Sequence, residues 1–311
     1  MGEHVEVIGI DHGYRNMKTA NFIFPTAIMK LESRPDDYTG ILRVKDDYYS
    51  IDGGRRLVSV DNHNKIQTQD FYLLTLVCIA KELRARGKIG SKVRIAAGLP
   101  QKWHHQQKTD FKSYLLQNAR LDFAYENIQY NVEFAGAGIY TQGYAAAAVR
   151  LANRKNTYCV IVDIGGETMD ITPVLNGRPV EDECRIDTRA CIWLINSIKE
   201  QIESELMEAV HEQMIAEFID RADRDTKPRN KYEEVMKRCV MDFCDMVFTR
   251  LREFKFNVEL TPLIFVGGGA GLIYRFAAYN EEMTEFVLDI CANAKGYERI
   301  DKALASRNRQ Q

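Results

Sequence analysis

The chain of 311 residues carries 42 Lys and Arg against 44 Asp and Glu, a formal net charge of −2, so no global field draws it toward nucleic acid or anionic lipid. Its first residues, MGEHVEVIGIDHG, lack a basic stretch leading into a long apolar one, and no apolar run approaches the ~18 residues of a membrane span, so the protein is expected in the cytosol. Seven cysteines, odd in number and without a C-x-x-C pair, argue against a disulfide framework or zinc knuckle and for reduced, mostly buried thiols.

The length predicts two domains. Residues 5–10 alternate apolar side chains and stop at Asp11-His12-Gly13, and a second strand-like run, 18–24, follows at once. Phe71, Leu74, Val77 and Cys78 follow helical spacing. Residues 93–98 then read as a strand leading through Leu99-Pro100 into a Gln- and Lys-rich helix. The strand-turn-strand shape recurs at 158–162, where a near-continuous apolar run ends in Asp163-Ile164-Gly165-Gly166 and resumes at 169–175. Ile192, Ile195, Ile198, Ile202 and Leu206 mark one helical stripe, and Val235, Cys239, Phe243, Met246 and Val247 another. The charged stretch 220–231, with Pro228 inside it, reads as a loop or subdomain boundary. Residues 263–266 form a buried strand ending in Gly267-Gly268-Gly269 before a further helix, and 306–311 is expected to fray. Strands and helices alternate, so the predicted class is α/β.

The chemistry concentrates in the two turns, 11–18 and 163–170, about 150 residues apart. Each sets a carboxylate at a strand end before glycine. A triphosphate needs backbone N–H groups that approach its oxygens closely, and glycine removes the Cβ that would obstruct them. Mg²⁺ keeps several waters and takes few protein ligands, so one Asp from each turn, Asp11 and Asp163, suits a metal bridging β- and γ-phosphates. The glycines at 267–269 resemble a dinucleotide fingerprint, but Gly-x-Gly-x-x-Gly fails because residue 272 is Leu, and no P-loop motif occurs in the chain. His104 and His105, adjacent on a helix, point about 100° apart and are read as surface residues rather than metal ligands. The basic residues Arg221, Arg224, Lys227, Arg229 and Lys231 are interleaved with acids and lack stacking aromatics, so they are read as a solvated insert.

Taken in order, the motifs resemble the ParM/StbA branch of the actin, Hsp70 and sugar-kinase superfamily. Residues 8–14 with Asn16 and Lys18 resemble that family's first phosphate loop, and Phe24-Pro25-Thr26 the strand after it. Gly98-Leu99-Pro100 resembles its G-L-P element, and Gln142-Gly143 before an alanine-rich stretch its connecting helix. Residues 162–170 resemble the second phosphate loop, and 266–269 the adenosine motif. The resemblance implies an actin-like ATPase fold, two RNase H-like domains flanking a nucleotide cleft, with domains at 1–149 and 150–311 and the C-terminal helix returning to the first. It implies a slow ATPase, or GTPase, that polymerises into filaments and moves plasmid DNA through a centromere-binding adaptor, without touching DNA or membrane itself.

Carried over by residue, Asp11 and Asp163 would position Mg²⁺. Gly13, Tyr14, Arg15, Asn16 and Lys18, with Gly165, Gly166, Glu167, Thr168 and Asp170, would hold the phosphates. Gln142 would orient the attacking water. Gly267, Gly268 and Gly269 would let purine and ribose lie against the backbone, and Lys231 and Glu234, in a helix that also carries Tyr232, Glu233 and Lys237, would reach the nucleoside. Arg15 departs from the family's usual glycine and Tyr14 from its serine, so Arg15 either donates to phosphate or faces solvent. Two rivals remain open: a small-molecule phosphotransferase, which needs a carboxylate base where Gln142 is a weak one, and a nucleotide-dependent binding module.

Overall fold

Alternating apolar residues carry the first strand further than predicted. β1 (Val5–His12) takes in Asp11 and His12, and seven of its eight residues are buried. The run expected at 18–24 is instead broken into β2 (Asn16–Lys18) and β3 (Ile23–Pro25). The Thr19 amide closes a turn onto the Phe22 carbonyl at 2.8 Å, and Asn21 donates from its backbone and side chain to the buried Glu82.

The computed structural model describes residues 5–51, 68–152 and 157–308. Its chain divides into two units, Met1–Ala146 with Cys291–Gln311, and Ala147–Ile290. In the first, β4 (Met29–Lys30), β5 (Ile41–Val44), β6 (Asp47–Ser50), α1 (Asp70–Ala85), β7 (Gly90–Leu99), α2 (Gln101–Leu115), β8 (Arg120–Tyr125) and β9 (Ile128–Thr141) follow β3, and α3 (Tyr144–Ala152) leads out of it. Among the described residues its sheet has nine strands in the order β3-β2-β1-β7-β9-β8-β5-β6-β4. β1, β7 and β9 are parallel, as the helical crossovers α1 and α2 require, while the flanks are antiparallel. α1 buries 12 of its 16 residues, apolar nearly all round, and is a core helix.

The second unit begins with β10 (Tyr158–Ile164), β11 (Met169–Leu175), β12 (Arg178–Pro179) and β13 (Arg185–Asp187). Next come α4 (Cys191–Leu206), α5 (Glu212–Arg221), α6 (Lys231–Glu253), β14 (Leu263–Val266), α7 (Ala270–Phe276) and β15 (Thr284–Phe286). Its sheet runs β12-β11-β10-β14-β15, with β13 also on β11. Apart from Ile192, the stripes read on α4 and α6 pack with β10, β11 and β14 into one apolar core. Residues 220–231 are not wholly loop: Asp220 and Arg221 end α5, whose Ile215 and Phe218 are buried, and Lys231 opens α6.

α8 (Ala292–Asn308) belongs to the first unit and lies so close to β1 that a Cβ on Gly9 would stand 1.9 Å from the Ala294 carbonyl oxygen. Buried Asp301 accepts from Arg94 Nε at 2.7 Å and from the Tyr140 hydroxyl, and Glu298 accepts from the Gly9 amide and from Arg86. Residues 306–308, expected to fray, continue this helix, while 309–311 lie outside the described residues. All seven cysteines are free thiols, four of them buried. Among the described residues no helix is long and apolar enough to cross a membrane.

Candidate functional site

In the first unit β1 and β2 pair with Asp11 opposite Lys18 and His12 opposite Met17, leaving residues 13–15 and the Asn16 amide at the turn. Fully buried Thr26 fixes that turn from behind: its hydroxyl donates to the Gly13 carbonyl at 2.6 Å and its amide to the Arg15 carbonyl at 3.0 Å. A trans peptide sets C=O and N–H antiparallel, and no cis bond occurs among the described residues. With the carbonyls of 13 and 15 drawn to Thr26, the amides of Tyr14 and Asn16 therefore face the other way, as a phosphate nest requires. Tyr14, Arg15 and Asn16 are half-buried.

Asp11, 2 % exposed, is held from both oxygens. Lys18 Nζ donates to Oδ2 and Gln142 Nε2 to Oδ1, each at 3.0 Å. The Gln142 amide, its nitrogen committed to Asp11, keeps its carbonyl oxygen for accepting from water. Behind the strand, His12 Nε2 lies 2.8 Å from Thr75 Oγ1, whose hydroxyl donates to the Phe71 carbonyl, so the imidazole is the donor.

In the second unit the turn at 165–168 closes by the Gly165 amide on the Thr168 carbonyl at 2.8 Å. Three successive carbonyls, of Ile164, Gly165 and Gly166, accept from the amides of Gly269, Cys191 and Ile192 at 2.9, 3.3 and 2.8 Å. The last two are first-turn amides of α4, which has no side-chain cap and takes its acceptors from this turn. Asp187, paired with Arg189 and with Arg250 of α6, fixes the corner from which α4 starts. The amides of Gly166 and Glu167 thus face away from α4. Asp163 stands directly opposite Asp170 in the ladder, both less than 10 % exposed, and the Thr168 hydroxyl donates to Asp170 at 2.9 Å. Two hard, anionic oxygen donors facing each other across a strand pair fit a Mg²⁺ site.

Of the three glycines after β14, two owe their identity to the chain itself. A Cβ on Gly267, φ +83°, would stand 2.3 Å from Asp163 Oδ1, and one on Gly269 2.3 Å from Ile164 Cγ2. Close packing within the chain thus accounts for glycine at these two positions. A Cβ on Gly268 would meet no heavy atom within 4 Å beyond its chain neighbours, so no contact within the chain demands glycine there. On α6, Lys231 donates to Glu208 at 3.1 Å, Tyr232 bonds the same carboxylate, Glu233 pairs with Arg221, and Lys237 donates to the Thr226 carbonyl at 2.8 Å. Glu234 is exposed. His104, expected on the surface, is half-buried with Nε2 3.0 Å from the Ile139 carbonyl, while His105 is exposed. Sequence reasoning missed Thr26 as a support of the first turn, although the Phe24-Pro25-Thr26 motif was the signal for it.

No protein-family model matches the chain, and neither does any curated protein. Solved structures do. An archaeal actin homolog matches with a TM-score of 0.76 at 20 % identity, covering 96 % of this chain and 99 % of that one. Bacillus thuringiensis ParM with ATP matches at 0.70 and 12 %, covering 96 % and 98 %. The Alp12 filament structure matches at 0.68 and 17 %, covering 97 % and 99 %. Along nearly its whole length, and with a D-x-G turn at the end of a strand in each unit, the protein has the actin-like fold.

Proposed function

We propose that the protein is a magnesium-dependent nucleoside triphosphatase that assembles with copies of itself into filaments whose lifetime hydrolysis sets. The observation that carries this reading is the pair of turns whose carbonyls are held from behind, so that the amides of Tyr14, Asn16, Gly166 and Glu167 are presented for phosphate oxygens. Each turn offers its amides to the phosphates of ATP or GTP, with Lys18 adding a cation in the first unit and, in the second, Gly268 admitting the nucleoside and Lys231 and Glu234 reaching it. Bound Mg²⁺ would be anchored by Asp163 and Asp11, largely through water, and would supply charge neutralisation at the β- and γ-phosphates.

Gln142 orients the attacking water through its carbonyl oxygen while Asp11 fixes its amide nitrogen. This is positioning rather than base catalysis, which favours slow hydrolysis over phosphotransfer to a hydroxyl. The likeness to a ParM with ATP and to a filament structure supports the nucleotide and the polymer alike. Plasmid or other DNA segregation in the cytoplasm through a centromere-binding adaptor is the finer form of the same reading.

The test follows light scattering and released phosphate together after Mg-ATP or Mg-GTP is added to the wild type and to Gln142→Ala. The variant is expected to assemble and to persist, with hydrolysis lowered ~10²-fold. Wild-type protein that neither scatters nor releases phosphate with either nucleotide refutes the function. A variant that hydrolyses at the wild-type rate refutes the role of Gln142.

A further inference from the structure

Gln142 sits where the backbone is hardest to hold. It lies between β9 and α3, followed by Gly143 at φ +69°, and the Tyr144 amide donates back to the Gln142 carbonyl at 2.7 Å. An i→i+2 bond around a residue of positive φ is the rare form of the γ-turn, open to Gly143 because it lacks a Cβ. Two contacts fix it here. The Gln142 amide donates to the Leu99 carbonyl at the end of β7, at 2.9 Å. The Gly143 amide donates at 2.9 Å to Oδ1 of Asn293, a residue 150 positions away and 7 % exposed, in the first turn of α8. α8 is itself seated closely there, since a Cβ on Gly296 would stand 2.2 Å from the Ala145 carbonyl oxygen at the start of α3.

We propose that Asn293 is the positioning residue for Gln142: by accepting the Gly143 amide it fixes the turn that aims the Gln142 side chain at Asp11 and at the attacking water. The proposal rests on the reading of Gln142 given above. It also explains why a buried asparagine stands at this point. The chain leaves the first unit after Ala146 and re-enters it at Cys291, so one hydrogen bond joins the segment just before departure to the segment just after return. The aim of Gln142 is thereby tied to both crossings. Asn293 itself takes no part in the chemical step.

The experiment compares Asn293→Ala, Asn293→Asp, Gln142→Ala and the double variant Asn293→Ala/Gln142→Ala, reading kcat and KM for phosphate release, affinity for a fluorescent ATP analogue, and Tm. Asn293→Ala is expected to lower kcat ~10-fold with KM and affinity within ~2-fold, and Asn293→Asp, which keeps the acceptor, to retain most of the rate. In the Gln142→Ala background, Asn293→Ala should cost no further rate, because the group it aims is already gone. A purely structural asparagine would lower Tm, leave kcat of the folded fraction unchanged, and overturn the proposal. So would a further ~10-fold loss in the double variant. If Gln142→Ala is slow while Asn293→Ala is not, only this proposal falls; if Gln142→Ala is as fast as wild type, the reading beneath it falls too. Should Asn293→Ala fail to fold, Asn293→Asp decides: a retained rate supports positioning and a ~10-fold loss of kcat overturns it.

Discussion

The turn after β1 and the turn after β10 present amides in the same sense, but different parts of the chain hold them. In the first, one residue, Thr26, draws back the carbonyls of Gly13 and Arg15 from the strand alongside. In the second, the open end of α4 and the Gly269 amide draw back three carbonyls in a row. Charge separates them as well. Asp11 faces Lys18 across the ladder and is bonded to it, whereas Asp163 faces a second carboxylate, Asp170. The contrast teaches that a nest of amides is specified by where its carbonyls go, and that a residue just past a strand or a helix terminus serves equally. On the proposed function this becomes a division of labour, in which the first turn brings its own cation and the second takes up Mg²⁺.

The sharpest way to break that division is to remove each aspartate in turn. Asp163→Ala is expected to lower phosphate release ~10³-fold and to make nucleotide affinity the same with Mg²⁺ and with EDTA. Asp11→Ala should also be slow, since Lys18 and Gln142 lose their shared partner, yet keep tighter binding with Mg²⁺ than without. Equal loss of metal dependence in both variants would show that the two turns do not differ in this way. Next in size is the pair Gly267→Ala and Gly268→Ala. The first forces a side chain into Asp163 at positive φ and should destabilise the protein by about 2 kcal/mol or more by urea denaturation. The second should fold with stability within about 0.5 kcal/mol of wild type and bind nucleotide more weakly. A Gly268→Ala variant with wild-type affinity would remove that glycine from the site.

Much of this was legible in the sequence. Both turns, the strands carrying Asp11 and Asp163, the helix from Phe71 onward and the buried strand at 263–266 follow from periodicity and D-x-G punctuation, which are local signals. The supports were not legible, because the partner of Gly166 is Ile192 and that of Gly143 is Asn293, residues no short-range pattern connects. Glycine at 267 signalled a close approach without saying what approaches, and the approaching atom is Asp163 Oδ1. α5 escaped notice because only Ile215 and Phe218 mark its buried face, too few to stand out from a charged stretch.

Two smaller effects sharpen the comparison. Thr26→Val keeps the backbone donor but removes the hydroxyl from Gly13, and should weaken nucleotide binding ~10-fold through the first turn alone, with Thr26→Ser restoring it. Unchanged affinity would mean that the turn holds its shape without that hydroxyl. The strands beneath the turns also differ, for β1 adds to its apolar packing a carboxylate, Glu6, paired with Lys88 and Arg86. Burial works against the charge on Glu6, but hydrogen bonds from Lys88 and Arg86 prevail and hold its carboxyl down at about 2. A depressed carboxyl contributes stability above its unfolded value of 4.5, and that contribution is lost as pH falls from there toward 2. Trp103 lies in α2 and Trp193 in α4, one in each unit. With Trp193→Phe as background, Glu6→Gln should flatten the acid sensitivity reported by Trp103. With Trp103→Phe as background, Glu6→Gln should leave the Trp193 signal unaltered.

The seating of α8 on β1 has a consequence for the order in which the protein is made. β1 emerges from the ribosome first, yet its Gly9 amide reaches Glu298, and Arg94 of β7 reaches Asp301. At ~5–20 residues per second, β1 waits ~15–60 s for the helix that covers it. The second unit, a single uninterrupted stretch from Ala147 to Ile290, is complete before α8 has been synthesised at all. The later-coded half therefore reaches its native contacts sooner, and the sheet face around Gly9, shaped to admit a helix backbone, stands open in the nascent chain for most of translation. The arrival of Asn293 through Asp301 is what closes that face.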